Sequence, residues 1–342
     1  MTLRIGLIGH GHWGTNLARA AARTPGCVLA AIADLDPANR ARAAAAHPDV
    51  PVTDDPAILV ADPGIDALMI ATPAGSHVAL ATQALDAGKH VLVTKPLAPT
   101  AVEAEALGRL ATARGRVLLV DHTFVWAPPV TAIRGRIAAG DLGPLVYIQS
   151  ERAGLGIFKD DVSVIEDLAI HDFAIFDHLL DRMPARVSAT TATTHPGLNP
   201  SAAWISLFYP DGLVAQVAAH WLAPVKVRRM TVAGRRRILT WDDLDPVARL
   251  RLHDAGADPV DRAVPGRAAL AYRTGPVTPL PLEAIEPLAA ELAEFRDAVA
   301  GTMGPRADAR AAARVARVCD AAVASAMGGG APVAVDGAEA AP

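Results

Sequence analysis

The chain has 342 residues, 51% of them hydrophobic and 20% charged, with a formal net charge of −4. That balance suits a folded protein of about two domains and gives no global basic field for nucleic acid or an anionic membrane. Only Cys27 and Cys319 are available for thiol chemistry, which excludes a disulfide framework or a Cys-rich metal site, and no apolar run has membrane-span length. The segment "MTLRIGLIGHG" lacks the longer apolar core of a signal peptide, so the chain reads as cytoplasmic.

In chain order, "LRIGLIG" (3–9) is a strand, "TNLARAAAR" (15–23) a helix and "CVLAAIAD" (27–34) a second strand. "DALMIAT" (66–72) is a third strong strand, followed by a helix over 74–88 and a strand over 89–94. Residues 99–115 form a helix, opened by a Thr100/Glu103 capping box and stopped by Gly115; 116–122 is a strand. Strands that are apolar throughout and alternate with helices predict a doubly wound parallel sheet covered on both faces. Beyond residue 122 come a helix over 127–143, a strand over 144–153 and the helix "SVIEDLAIHDFAIFDHLL" (163–180). Strands follow at 185–194, 201–210, 213–222 and 227–234, with "YPDG" (209–212) as a hairpin turn. The boundary falls at 122/123, dividing a 1–122 domain from a 123–342 domain.

The first strand runs into Gly9, Gly11 and Gly14, a G-x-G-x-x-G with His12 and Trp13 inside it, and Asp34 ends the second strand twenty residues after Gly14. A strand, this turn and then a helix make a dinucleotide fingerprint. Gly9 permits the tight turn, Gly11 lets a pyrophosphate approach the backbone, and Gly14 lets the helix pack closely. The helix start offers unpaired N–H groups to the phosphates. Asp34 can accept from the 2′- and 3′-hydroxyls of an adenosine ribose and repels a 2′-phosphate, so NAD is favoured over NADP. Two loops, Thr72–Pro73 to His77 and Thr94–Lys95–Pro96, follow strands at their carboxyl ends, where open α/β sheets bind ligands.

On the 163–180 helix, Ile165, Ala169, Phe173, Phe176 and Leu180 recur at helical spacing, and Ser163 and Glu166 form a capping box. Asp167 and His171, four apart and about 40° apart around an α-helix, can meet on another line. His178 is read as a packing or surface residue.

Together these motifs resemble the glucose–fructose oxidoreductase / inositol dehydrogenase (Gfo/Idh/MocA) family. They are the G-x-G-x-x-G, the T-P-x-x-x-H loop (Thr72, Pro73, His77), the K-P loop (Lys95, Pro96) and the D-x-x-x-H helix (Asp167, His171). "PLAAELAEFRDAVAG" and "AAVASAMGGGAPVAV" resemble that family's closing helices and strand. Thr94 departs from the pattern, standing where the family usually carries a Glu that helps position the nicotinamide ribose. The resemblance implies a Rossmann domain followed by an α/β domain with a large, mostly antiparallel open sheet, and assembly as a homodimer or homotetramer.

The resemblance also implies catalysis by Lys95, Asp167 and His171. Oxidising an alcohol removes a hydride, which the nicotinamide takes, and a proton, which needs a base within hydrogen-bond reach. His171 titrates near neutral pH and Asp167 can orient it, while Lys95 can stabilise alkoxide character. Lys95 and His171 are both candidates for the proton. No metal ligand set is read.

The stretches "ERAGLGIFKDDVSVIEDLAIHD" and "HWLAPVKVRRMTVAG" resemble a sugar and nucleotide-sugar branch of the family. There Lys159, Lys226, Arg228 and Arg229 would bind a diphosphate, and Trp126 and Arg152 would line the sugar pocket; for the basic residues, a solvated hairpin edge is the competing reading. The leading expectation is an NAD-dependent dehydrogenase acting on a sugar or nucleotide-sugar, at C3 for instance. A cyclitol or free-sugar dehydrogenase is the alternative. A non-catalytic dinucleotide sensor is the third reading, disfavoured by the intact Lys95, Asp167 and His171.

Overall fold

The computed structural model describes residues 2–156, 158–160, 162–259 and 270–338. The chain forms two compact units, Met1–Ala127 with Ile285–Ala316, and Pro128–Ala284 with Arg317–Pro342.

The first unit holds β1 (Leu3–Ile8), α1 (His12–Arg23), β2 (Cys27–Ala33), α2 (Pro37–Ala46), β3 (Val52–Thr53) and α3 (Pro56–Ala61). It continues through β4 (Ala67–Ile70), α4 (His77–Asp86), β5 (His90–Thr94), α5 (Ala101–Arg114) and β6 (Leu118–Asp121). The six strands lie in the order β3-β2-β1-β4-β5-β6 and every pairing is parallel. The strand order reverses beside β1, which creates the crevice where doubly wound sheets bind nucleotides. β4 and β6 are buried along their whole length, as a sheet covered on both faces requires. Thr100 caps α5 by accepting from the Glu103 amide at 3.3 Å, and its hydroxyl donates to the Glu103 carboxylate at 2.8 Å. Gly115 ends the helix in the left-handed conformation.

The second unit begins with α6 (Pro128–Ala138) and β7 (Leu145–Ala153), then a π-helical turn (Ile165–Ala169) that leads into α7 (Ile170–Leu180). The strands β8 (Arg186–Ala192), β9 (Ala202–Phe208), β10 (Val214–His220), β11 (Val227–Gly234), β12 (Ile238–Asp242), β13 (Leu250–Pro259) and β14 (Leu270–Pro279) follow. With β15 (Val333–Ala334) they make a nine-stranded sheet, ordered β14-β13-β12-β11-β7-β10-β9-β8-β15. All its neighbours pair antiparallel except β7 with β10, so the sheet is mostly antiparallel as expected. Strands β9 and β10 alternate between buried and more open residues, the mark of a sheet with one covered face.

The division differs from the expected 122/123 boundary. After β14 the chain returns to the first unit as α8 (Pro287–Val299), which packs on α1, β2 and the turn at 123–126, and it leaves again within α9 (Ala309–Met327). Leu288, Leu292 and Phe295 of α8 are fully buried there. A segment that pairs with residues hundreds of positions earlier leaves no local sign of its destination.

The helix at 163–180 also differs in detail. Its first turn is π-helical, a conformation that often marks functional sites. The capping box is half formed: the Ser163 amide donates to Glu166 at 2.8 Å, while the Ser163 hydroxyl accepts from Ile165 rather than from Glu166. Ile165, Ala169, Phe173 and Phe176 are buried, as their spacing predicts, while Leu180 at the helix end is only half-buried.

Candidate active site

The glycine motif forms the floor of a cleft of about 720 Å³ in the first unit. Gly9, Gly11, Asp34, Leu35, Thr72 and Pro73 are among its walls. Gly9 has φ +93°, and a Cβ there would lie 2.5 Å from the Ala71 carbonyl oxygen. A Cβ on Gly14 would lie 2.0 Å from the Gly9 carbonyl oxygen, so α1 can start this close to the strand only on glycine. A Cβ on Gly11 would meet nothing within 4 Å, because it would project into the open space a pyrophosphate needs. Gly11 caps α1 without a side-chain hydrogen bond, so first-turn amides remain for phosphate oxygens. These features fit a dinucleotide.

Asp34 lies on the wall of this cleft. Its Oδ2 accepts from the His10 amide at 2.6 Å and from Asn39 Nδ2 at 3.0 Å, and its Oδ1 accepts from the Asp36 amide at 2.8 Å. Three donors hold the carboxylate in place before any ribose arrives. Arg40 gives its guanidinium to the backbone carbonyls of Asp34 and Leu35, at 3.0 and 2.8 Å. We expect Asp34→Ser with Leu35→Arg to move the kcat/KM ratio toward NADP by roughly tenfold or more, the worth of one charge-assisted hydrogen bond. Steady-state kinetics with both cofactors checks this. A wild type that prefers NADP, or an unmoved ratio, removes the ribose role from Asp34.

The two predicted loops meet through His77, which is buried. Its Nδ1 lies 2.7 Å from the Pro96 carbonyl oxygen and its Nε2 2.8 Å from that of Thr72. His77 thus cross-links the loops from behind. The Thr72 hydroxyl pairs with that of Ser76 at 2.7 Å, and buried Thr94 lies 3.5 Å from His77 Nε2. Lys95 is half-buried at the carboxyl end of β5, and the Lys95–Pro96 peptide is cis. Beside it His122 is buried. Burial first, and the Lys95 charge second, lower its pKa to about 3, so its ring stays neutral at physiological pH. His12 is exposed, and Trp13 donates its indole N–H to Asp121.

In the second unit, Asp167 lies in the π-helical turn and half-buried His171 is the second residue of α7. Asp167 Oδ1 accepts from Lys159 Nζ at 2.7 Å, and its Oδ2 accepts from the Trp221 indole at 3.1 Å. Phe158 packs edge-on against Trp221, with ring centroids 5.9 Å apart. Lys159 and Trp221 therefore fix the orientation of the Asp167 carboxylate, a role the sequence reading did not give them.

Most of the remaining expected substrate residues have other partners. Arg152 is 5% exposed and makes a buried ion pair with Asp172, Nε to Oδ2 at 2.9 Å and Nη2 to Oδ1 at 3.2 Å. Ser150 adds a hydroxyl donor to Asp172 at 2.7 Å. Trp126 is buried in the first unit and donates to Glu294 at 3.0 Å. Arg228 lies 3.5 Å from Asp243, and Arg229 bonds Asp242 at 2.8 Å; Lys226 is exposed. Burial, then the neighbouring Arg152, pulls the Arg228 pKa below its ordinary value. His178 is buried beside Arg134, with 2.7 Å between Nη1 and Nδ1, which makes it a packing residue. Sequence reasoning missed Asp172, Trp221, Asp121 and Glu291. Asp172 alone left a signal, as a carboxylate in a run of apolar helix.

Among the described residues, no cluster of three or more His, Cys, Asp or Glu has metal-holding geometry, and no helix is long and apolar enough to cross a membrane.

A doubly wound sheet with a glycine-floored cleft and a held carboxylate on its wall is the architecture of a dinucleotide-binding domain. Residues 3–122 match the model of the oxidoreductase family with the NAD-binding Rossmann fold, and 130–240 match the GFO/IDH/MocA C-terminal domain. The chain belongs to the Gfo/Idh/MocA family of oxidoreductases, and its first domain is that family's NAD-binding Rossmann domain. It is 30% identical to a UDP-N-acetylglucosamine 3-dehydrogenase of Acidithiobacillus ferrooxidans over 302 residues, 87% of this chain and 89% of the relative. It is 32% identical to inositol 2-dehydrogenase 1 of Saccharopolyspora erythraea over 232 residues, 66% of this chain and 67% of the relative. The solved structure of the A. ferrooxidans UDP-N-acetylglucosamine 3-dehydrogenase GnnA superposes with a TM-score of 0.78 at 27% identity, covering 96% of this chain and 99% of that one.

Proposed function

We propose that the protein is an NAD-dependent dehydrogenase that interconverts a secondary hydroxyl and the corresponding ketone of a sugar or nucleotide-sugar. The observation that carries this is the cleft in the first unit, where open space over Gly11 and a held Asp34 fit NAD. The likeness to a UDP-N-acetylglucosamine 3-dehydrogenase over most of both chains supports the nucleotide-sugar and the C3 position.

Bound NAD supplies the hydride acceptor or donor. Gly9, Gly11, Gly14, His12 and Trp13 hold its pyrophosphate side, Asp34 its adenosine ribose, and Thr72, Pro73, Thr94 and Pro96 its nicotinamide side. His77 acts from behind by fixing both loops. Lys95 donates a hydrogen bond to the reacting oxygen and stabilises its developing charge. His171 takes the proton from the substrate hydroxyl and returns it in the reverse direction. Asp167, steadied by Lys159 and Trp221, favours the protonated imidazole. In this proposal the enzyme works in the cytoplasm as a homodimer or homotetramer.

A second reading, a cyclitol or free-sugar dehydrogenase, has one structural observation in its favour. Arg228 and Arg229, expected to hold a diphosphate, already face Asp243 and Asp242. It also has the likeness to inositol 2-dehydrogenase 1. A panel of UDP-sugars, free sugars and inositols with NAD, read by absorbance of the reduced cofactor, separates the two. Turnover of UDP-N-acetylhexosamines at far higher kcat/KM than inositols supports the first reading; the opposite order replaces it with the second.

A further inference from the structure

Trp13 is the second residue of α1 and 39% exposed, yet its indole N–H is committed to Asp121 at the end of β6. Asp121 pairs in register with Thr94 of β5, the residue before Lys95. Its Oδ1 also accepts the Thr123 amide at 3.1 Å and the Thr123 hydroxyl at 2.5 Å. Three donors thus converge on one buried carboxylate. Behind it lies Glu291 of α8, which is 0% exposed, and among the described residues neither of its oxygens meets an N–H or O–H donor. The group that faces it is Asp121 itself.

Two carboxyl groups in contact inside a protein cannot both ionise, and they share one proton. Asp121 already accepts from Trp13 and twice from Thr123, so the proton belongs to Glu291. Burial first, then the Asp121 charge, raise the Glu291 pKa well above the usual carboxylate range. As a neutral acid it becomes a further donor to Asp121, which gives its hydroxyl oxygen a partner. The charged groups acting on Glu291 are Asp121 from β6 and Glu294 from its own helix; Glu294 is paired with Arg306 at 2.8 Å.

We propose that Asp121 and Glu291 are positioning residues for the cofactor, holding the Trp13 indole and with it the first turn of α1 in register for the NAD phosphates. A tether from α1 to β6 restrains the turn whose free amides face the pyrophosphate, which lowers the ordering cost of binding. The proposal rests on the dinucleotide assignment, which NADH binding by the wild type tests by itself.

The test is NADH affinity, read by the fluorescence of the bound nucleotide on the full chain. Trp13→Phe keeps an aromatic ring and removes the N–H; it should raise Kd roughly tenfold, the scale of one charge-assisted hydrogen bond. Asp121→Ala should do the same, and the double variant should bind no more weakly than Asp121→Ala alone, because both changes cut one tether. Glu291→Gln retains a neutral donor and should bind within about twofold of the wild type at neutral pH. A raised folded pKa means the acid form acts below that pKa and is lost as pH rises through it. Wild-type affinity should therefore weaken on the alkaline side, and Glu291→Gln should abolish that limb. Wild-type affinity in Trp13→Phe, additive losses in the double variant, or an alkaline limb that survives Glu291→Gln each overturn the proposal. If circular dichroism shows Asp121→Ala unfolded, Trp13→Phe and Glu291→Gln decide.

Discussion

His171→Ala should lower kcat on the true substrate by roughly 10²–10⁴, the usual contribution of a positioned acid or base. His171 is half-buried at the second position of α7, two residues after the π-helical turn that carries Asp167. Asp167→Asn keeps the shape and the Trp221 contact but removes the charge, and with it the ion pair to Lys159. It should also reduce kcat. If the two residues act as one unit, the double variant should be little slower than His171→Ala alone. Cofactor affinity should stay close to the wild type in all three, because both residues belong to the second unit and the cleft to the first. Stopped-flow single turnovers separate the chemical step from product release. Normal turnover in His171→Ala would return this helix to a purely structural role.

The second large effect concerns stability. Asp172→Ala should destabilise the protein by about 3–5 kcal/mol, because it leaves the Arg152 guanidinium buried without its carboxylate. Asp172 is 1% exposed and receives Arg152 Nε, Arg152 Nη2 and the Ser150 hydroxyl, tying α7 to β7. For a unit of this size that corresponds to a loss of roughly 10 °C in Tm. Replacing both partners, Asp172→Leu with Arg152→Met, should recover most of the loss, since a packed apolar pair carries no desolvation cost. Calorimetry on the single and double variants measures both numbers. A Tm within a degree or two of the wild type for Asp172→Ala would mean that the pair contributes little.

The same two residues show where sequence reading reaches its limit. The motifs legible in the sequence are those whose parts lie within a few residues of each other. The G-x-G-x-x-G turn, the Asp34 strand end, the Thr100/Glu103 box and the strands at 201–210 and 213–222 are local, and the structure reproduces each. The family resemblance places Arg152 in the sugar pocket, and nothing local in the sequence marks its partner. Its partner lies twenty residues on, on another element. For Arg228 and Arg229 the sequence offers a diphosphate site or a solvated hairpin edge, and the carboxylates they pair with stand at the end of β12 and directly after it, Asp242 and Asp243.

By itself, then, the sequence determined the parallel first sheet, the mostly antiparallel second sheet, the cofactor turn and the family. The first sheet and the cofactor turn follow from backbone conformation and short-range periodicity, which neighbouring residues dictate; the second sheet follows from the family resemblance that the ordered motifs carry. Only the tertiary structure decided that α8 returns to the first unit, that Trp13 ends on Asp121, that Glu291 is buried against that carboxylate, and that Lys159 and Trp221 hold Asp167. Several of these pairings join residues tens to hundreds of positions apart. They are chosen by the desolvation of charge in a packed interior, where a buried polar group must find a partner wherever the fold brings one.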